Sequence, residues 1–584
     1  MKSFFKSFFA SLLAMFIFFG LIFLLFFGIA GAFLASEKVS VEGNSVLVID
    51  LSKAYNDRTM EDPIAEITGD DLQPDLNTAI KLIEKASKDS SIRGVYLLSK
   101  DNANGFAGSS ELRKALLAFK TSGKFIIGYG DYISQKAYYV ASVANKVYCH
   151  PKGMFEWQGM SVEYTFFKNL IDKLDIKPQI FYAGKFKSAT EPFRTTAMSE
   201  ANKEQTSVWL NDIYDEMIDV VASSRNKSID SLKSYANRFT LDKPENAVAA
   251  GLLDGLKYDD QVRDEIRGRL KIGKSDKINF VSLAKYSKAV SVAGPYAKDK
   301  IALVLAEGEI VYGKGSPDQI GSDEYLALLR KLRSDKSVKA IVLRVNSPGG
   351  SSLASEIIWR ELELIRKEGK KIVVSMGDVA ASGGYYIACN ADKIMVQPNT
   401  ITGSIGVFSI VPDFSSFMNN KLGISFDRVN TGEYADMPSV TRPLRENEKK
   451  FIQGQVDQIY LDFKTRVAEG RKKDINYIDS IAQGRVWTGK RAIQLGLADK
   501  IGGLEDAIAE AAKMVGMKEF KVRKYPEPKS ILEYFMDKGS SDLTSSTLKK
   551  ELGMEDYQLF KRIKALKEEK GEIKTQLPFE FIIK

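Results

Sequence analysis

The chain repeats itself at an almost fixed offset. The run from Lys88 to Leu97 recurs as Ser334 to Leu343, 246 residues on. Gly130-Asp131 with Tyr138-Tyr139 recurs as Gly377-Asp378 with Tyr385-Tyr386 at 247, and Ile213-Tyr214 with Arg225 recurs as Ile459-Tyr460 with Arg471 at 246. Offsets that hold from Lys88 to Arg225 with single-residue slips mean a tandem duplication, so both halves must adopt one fold. Within each half, short β-branched runs alternate with amphipathic helical stretches, the pattern of an α/β domain with a largely parallel sheet. At 584 residues the chain is too long for one core. We divide it into a segment 1–36, a first copy 37–295, a second copy 296–525 and a charged extension 526–584. The extension is expected to hold a helix around Lys561–Lys570 and a final strand near Phe579–Ile582.

Residues 1–36 open with Lys2 and Lys6, then run uncharged from Phe8 to Leu34. That run is longer than the apolar core of a cleavable signal, and long enough for the roughly 20 residues of a membrane-spanning helix. It reads as an uncleaved anchor with lipid around residues 8–34. Ala32-Phe33-Leu34-Ala35 has the small-residue spacing of a cleavage site, which is the competing reading. Lysines before the span stay in the cytoplasm, so the bulk of the chain is expected beyond the inner face of the membrane. The net charge of +9 is spread along the chain and forms no basic block, which argues against nucleic acid as a partner. Cys149 and Cys389 form neither a metal-binding spacing nor a disulfide framework, and no metal or cofactor is expected.

The copies differ where chemistry would be done. Ile372-Val373-Val374 reads as a buried strand that passes through Gly377-Asp378-Val379-Ala380-Ala381-Ser382-Gly383-Gly384 into a helix, with Ser382 at the turn. Small neighbours let backbone approach a ligand, and the unpaired N–H groups that open a helix can hold an anion. This is how a nucleophile with an anion hole is built; a capping serine in a tight turn would look the same locally. After the strand Ala340–Arg344 comes Asn346-Ser347-Pro348-Gly349-Gly350, a turn whose bare backbone can donate to a ligand. The helix after it has Leu353, Ile358, Leu362 and Ile365 along one face and ends at Gly369. In the first copy Gln135 stands at the place of Ser382, and the loop Asn104–Gly108 lacks the proline and the paired glycines. The first copy instead carries Lys187, opposite Ala435 of the second. One copy has a lysine and no serine; the other has a serine and no lysine.

The only histidine, His150, precedes Pro151 in an apparent loop with no nucleophile signature nearby, which leaves a Ser-His-Asp triad without a base. A lysine can serve instead when its amine is neutral, far below its ordinary pKa of about 10.4, and burial supplies shifts of that kind. Glu191, four residues from Lys187, would oppose this if the two paired; otherwise it points away or meets Arg194.

Asn346-Ser347-Pro348-Gly349-Gly350, Ala381-Ser382-Gly383-Gly384-Tyr385-Tyr386, Thr402-Gly403-Ser404-Ile405-Gly406 and Lys187-Ser188-Ala189 with Glu191-Pro192-Phe193 together resemble the long, duplicated form of the bacterial signal peptide peptidase A family. The resemblance covers about residues 1–525. It implies two tandem copies of a Clp protease/crotonase-like fold behind an N-terminal transmembrane helix, in the cytoplasmic membrane with the catalytic domains on its outer side. It further implies Ser382 as nucleophile, Lys187 as general base, and the N–H groups of Gly350 and Gly383 as the oxyanion hole. Hydrophobic peptides, chiefly signal peptides, are the implied substrates, and a homo-oligomer, a tetramer by preference, the implied assembly. Ser404 is a candidate for orienting the lysine, or is a strand-end hydroxyl bonded to backbone. Two other classes fit the fold: an acyl-coenzyme A-processing crotonase, which would need neither Ser382 nor Lys187, and a non-catalytic membrane scaffold.

Overall fold

A computed structural model of the chain describes residues 2–34, 40–59, 72–292, 297–527 and 572–577. The expected anchor is a helix, Lys2–Leu34. Its described side chains, Phe8, Phe16 and Leu21 among them, are exposed. Among the described residues no helix is long and apolar enough to cross a membrane; the unbroken run of described side chains, Lys6–Leu21, covers only part of the uncharged stretch.

The first half forms a parallel sheet from β1 (Ser45–Asp50), β2 (Ile92–Leu98), β3 (Phe125–Ile133), β4 (Lys146–Phe155), β6 (Gly255–Leu256) and β7 (Phe280–Ser282), in the order β6-β4-β3-β2-β1-β7. The second half forms a mostly parallel sheet from β8 (Lys300–Glu307), β11 (Val338–Ser347), β13 (Lys371–Ala381), β15 (Ile401–Gly403), β17 (Val486–Thr488) and β19 (Lys521–Tyr525), in the order β17-β15-β13-β11-β8-β19, with the edge strand β17 antiparallel to β15. Two short strands branch off it: β14 (Lys393–Val396) pairs with β13, and β18 (Lys500–Ile501) pairs with β14. The run β3-β2-β1-β7 is answered by β13-β11-β8-β19, and the helices Glu200–Arg225 and Glu446–Arg471 match at the offset of 246. Helices cover both faces of these sheets, so the central strands are buried on both sides and read as largely apolar runs that do not alternate. Ile301 to Ala306 of β8 are all buried.

A third sheet departs from the division by copies. Its order is β10 (Gln319–Gly321), β9 (Glu309–Val311), β12 (Gly349–Ser351), β20 (Ile573–Gln576), β16 (Val407–Asp413), β5 (Lys177–Ala183). The first copy thus lends β5 to the second, pairing it antiparallel with β16 from Ala183↔Val407 to Lys177↔Asp413. The extension lends β20. The strand expected near Phe579–Ile582 and the helix near Lys561–Lys570 lie outside the described residues.

Some expectations are corrected. His150 stands within β4, not in a loop. Pro151 has no N–H to give a ladder, and the β3–β4 register shifts between Gly130 and Tyr132 to pass it. Leu353 is exposed, while Ile358, Leu362 and Ile365 are buried. Ser134, not Gln135, caps the first-copy helix Gln135–Ala141, so the turn of Ser382 is met there by an ordinary cap one residue earlier. Ala435 sits in an exposed stretch without helix or strand, whereas Lys187 is buried in the turn that follows β5.

Buried charge joins the copies. Arg344 of β11, fully buried, donates from Nε to Asp57 Oδ1 and from Nη2 to Glu111 Oε1, both at 2.8 Å, and from Nη1 to Ser375 Oγ at 2.9 Å. Nearby, Asp378 of β13 accepts from the N–H groups of Ala107 and Gly108 at 2.7 and 3.1 Å. A Cβ on Gly105 would lie 2.1 Å from the Asp378 carboxyl carbon. The first-copy loop, which lacks the proline and the paired glycines, thus clasps the second copy.

Candidate active site

At the end of β13 the chain turns through Ser382 with φ 55° and ψ −116°, a conformation that costs a non-glycine residue strain. The turn is held by Ser382 N donating to Gly403 O and Tyr386 N donating to Ser382 O, each at 2.8 Å. Such a strand-to-helix turn presents the hydroxyl beyond the sheet edge while the helix N-terminus begins beside it. Gly383 is the first residue of the helix Gly383–Ala388, so its N–H has no acceptor within the helix.

Lys187 comes from the other copy. After β5 the chain turns at Gly184, and Lys187 N donates to Gly184 O at 3.1 Å. A Cβ on Gly484, at φ 73°, would lie 2.6 Å from the Lys187 Cβ, so only glycine lets that second-copy backbone close over the lysine. Lys187 is 1 % exposed. Its Nζ lies 2.9 Å from Ser382 Oγ, 3.1 Å from Ser404 Oγ and 3.3 Å from Ser404 O. Burial drives its pKa well below the ordinary lysine value. Glu191 does not oppose this. Its carboxylate accepts from Ser199 N and Oγ at 3.2 and 2.5 Å and from Asn202 Nδ2 at 3.0 Å, with Arg194 at 3.7 Å.

On the third side is the Pro-Gly-Gly turn. Gly349 and Gly350 have φ of 97° and 152°. A Cβ on Gly350 would fall 2.0 Å from Ile310 O, and one on Gly349 would fall 2.6 Å from Gly383 N. The glycine pair is therefore sterically required, and it brings the turn against the start of the helix that follows Ser382. The structure brings together Ser382, Lys187, Ser404, Gly350 and Gly383. His150 is elsewhere: its Nδ1 accepts from Lys152 N at 3.0 Å and its ring meets Tyr258.

Sequence reasoning missed Gln205. Its Nε2 donates to Phe186 O and Ser188 Oγ, both at 3.0 Å, and its Oε1 accepts from Val486 N at 3.2 Å, fixing the lysine loop to the second copy. Asn202 and Gln205, polar residues three apart on the buried side of one helix, were the available signal.

The arrangement is a hydroxyl against a buried amine beside convergent backbone donors, and comparison with known proteins gives it a family. The Peptidase family S49 profile matches residues 118–272 and 365–518, one segment in each copy. A Clp protease profile matches residues 293–402. Protease 4 of Haemophilus influenzae is 34% identical over 83% of this chain and 81% of its own. The chain belongs to peptidase family S49. Protease 4 of Salmonella typhi is 34% identical over 78% of this chain and 75% of its own, and the chloroplastic serine protease SPPA of Arabidopsis thaliana is 35% identical over 73% and 64%. This S49 peptidase is a serine protease with Clp protease-like α/β halves, which sets aside the acyl-coenzyme A and scaffold readings.

Proposed function

We propose that this S49 peptidase is a membrane-anchored endopeptidase that hydrolyses signal peptides and other hydrophobic peptides with a Ser382–Lys187 dyad. The observation that carries the reading is the 2.9 Å contact between the buried Lys187 Nζ and the buried Ser382 Oγ. A neutral Lys187 takes the Ser382 proton as Oγ attacks the substrate carbonyl, and the N–H groups of Gly350 and Gly383 receive the oxyanion. The lysine then passes that proton to the leaving amine. In the second half-reaction it takes a proton from water, the hydroxide attacks the acyl-enzyme, and Ser382 recovers its hydrogen. Ser404, bonded to the amine through both Oγ and O, aims it and stabilises the protonated form between steps.

The anchor reading rests on the uncharged run 8–34 within the helix Lys2–Leu34. An anchored peptidase meets substrates that are themselves lipid-borne. Assembly into a closed homo-oligomer, a tetramer by preference, is supported by the repeat. β5 of the first copy pairs with β16 of the second, but the counterparts at an offset of 247, residues 424–430 and 160–166, form no strand. Within 424–430, Val429 is 100 % exposed, and Ile424 and Phe426 are also exposed. Pairing 424–430 of one chain with 160–166 of the next would repeat the internal contact and close a ring. The test of the function is hydrolysis of a hydrophobic signal peptide by membrane-fraction protein. Turnover that disappears in Ser382→Ala supports the reading; turnover retained in that variant rejects it.

A further inference from the structure

The strand β20 comes from the extension, outside the duplicated halves, yet it lies in the middle of the third sheet between β12 and β16. It pairs antiparallel with both, Gly349↔Gln576, Gly350↔Thr575 and Ser351↔Lys574 on one edge and Phe408↔Lys574 and Ser409↔Ile573 on the other. Those edges belong to the candidate active site: β12 holds the oxyanion glycine, and β16 follows Ser404. The register is informative. Leu577 N donates to Pro348 O at 2.7 Å. Bonded and non-bonded pairs alternate along an antiparallel ladder, so the next bonded pair is Gly350 with Thr575, and the Gly350 N–H goes to the Thr575 carbonyl. The same oxygen would be 2.1 Å from a Cβ on Gly349 and 3.1 Å from one on Gly383. Thr575 O thus lies where Gly350 and Gly383 converge.

We propose that residues 573–577 occupy the peptide groove as an intramolecular substrate mimic, with the Thr575 carbonyl in the oxyanion hole. This rests on the reading of Ser382, Gly350 and Gly383 given above. The segment is gripped as a substrate strand would be. Its backbone is read from both sides, Thr575 is fully buried with its Oγ1 3.3 Å from Gly350 O, and Leu577 is buried in the hydrophobic cluster that also holds Ala381, Ile401 and Val486. Ile573 packs against the core of the second copy, with its carbonyl accepting from Ser352 Oγ at 2.8 Å. The groove accordingly takes an extended peptide with a small residue at the carbonyl that is attacked and aliphatic residues two positions to either side. A resident strand divides the apparent affinity for any incoming peptide by the fraction of time the groove stands open.

The experiment compares hydrolysis of one fluorogenic hydrophobic peptide by the full chain, by a chain ending at Gly571, and by the full-length Thr575→Arg variant, whose side chain cannot fit against Gly350 and Gly383. The two altered chains are expected to show KM lower by roughly tenfold or more with kcat unchanged. A synthetic peptide of residues 571–578 should inhibit the shortened chain competitively. Unchanged KM in both altered chains, or no inhibition by the peptide, overturns the proposal. Ser382→Ala in the shortened chain separates the two claims. Abolished turnover there with an unaltered KM in the parent rejects only the mimic, whereas surviving turnover rejects the active-site reading beneath it.

Discussion

Lys187 Nζ and Ser382 Oγ lie 2.9 Å apart although 195 residues separate them, one in each copy of the duplication. Neither copy alone holds both groups, so the site exists only where the halves meet. The second copy contributes the serine turn and the first copy contributes the buried amine.

If the two residues act as one unit, removing either removes the whole effect. Ser382→Ala and Lys187→Ala should each lower kcat by roughly 10³-fold or more, and the double variant should be no worse than either alone. Steady-state kinetics on the three variants check this. Additive losses would show that the residues act separately.

The buried amine is a burden on folding. Burial holds its folded pKa well below the ordinary 10.5, so the amine costs stability in full below that folded pKa, and the cost fades as pH rises toward 10.5. Lys187→Met keeps the bulk without the ionisable group. It should be inactive yet as stable as the parent or more so, by up to about 4 kcal/mol at pH 7, in a thermal unfolding measurement.

Arg344 is expected to behave in the opposite way. Arg344→Met leaves Asp57 and Glu111 buried without their cation, which should cost about 3–5 kcal/mol. The loss should appear as a lower unfolding temperature, with the helices of each copy retained by circular dichroism.

Asp57 gives this cluster a pH signature. Burial, outweighing the pull of Arg344, raises its pKa from 3.8 to about 7, with Glu307, Glu111 and Asp378 adding to the rise. The folded state therefore holds a proton that the unfolded state has released, and Asp57's contribution to stability should fall as pH rises from about 4 to about 7. In Asp57→Asn this part of the pH dependence of denaturant midpoints should vanish.

The repeat, the parallel sheets and the serine turn were legible because each depends on local pattern: β-branched runs, glycine pairs, a constant offset. Lys187 stood out because it had no counterpart at Ala435, and its burial follows from Gly484 closing over it. The third sheet was not legible. β5 carries no mark that it will cross to the other copy, and β20 is a four-residue strand whose place is fixed by the edges of β12 and β16. The role of Asn104–Gly108 was hidden for a similar reason, since its ligand is the Asp378 carboxylate, a side chain 270 positions from Gly108. Glu191 could be weighed from its spacing but resolved only by seeing Ser199 and Asn202 take its oxygens.

The central claim is that a neutral lysine is the base, and the pH dependence of peptide hydrolysis in the parent and in Lys187→Arg tests it most directly. The parent's kcat/KM should fall on acidification as Lys187 takes up a proton, and Lys187→Arg should be inactive at every pH because a guanidinium does not release its proton in this range. Substantial hydrolysis by Lys187→Arg, or a parent profile flat through acidic pH, would contradict it.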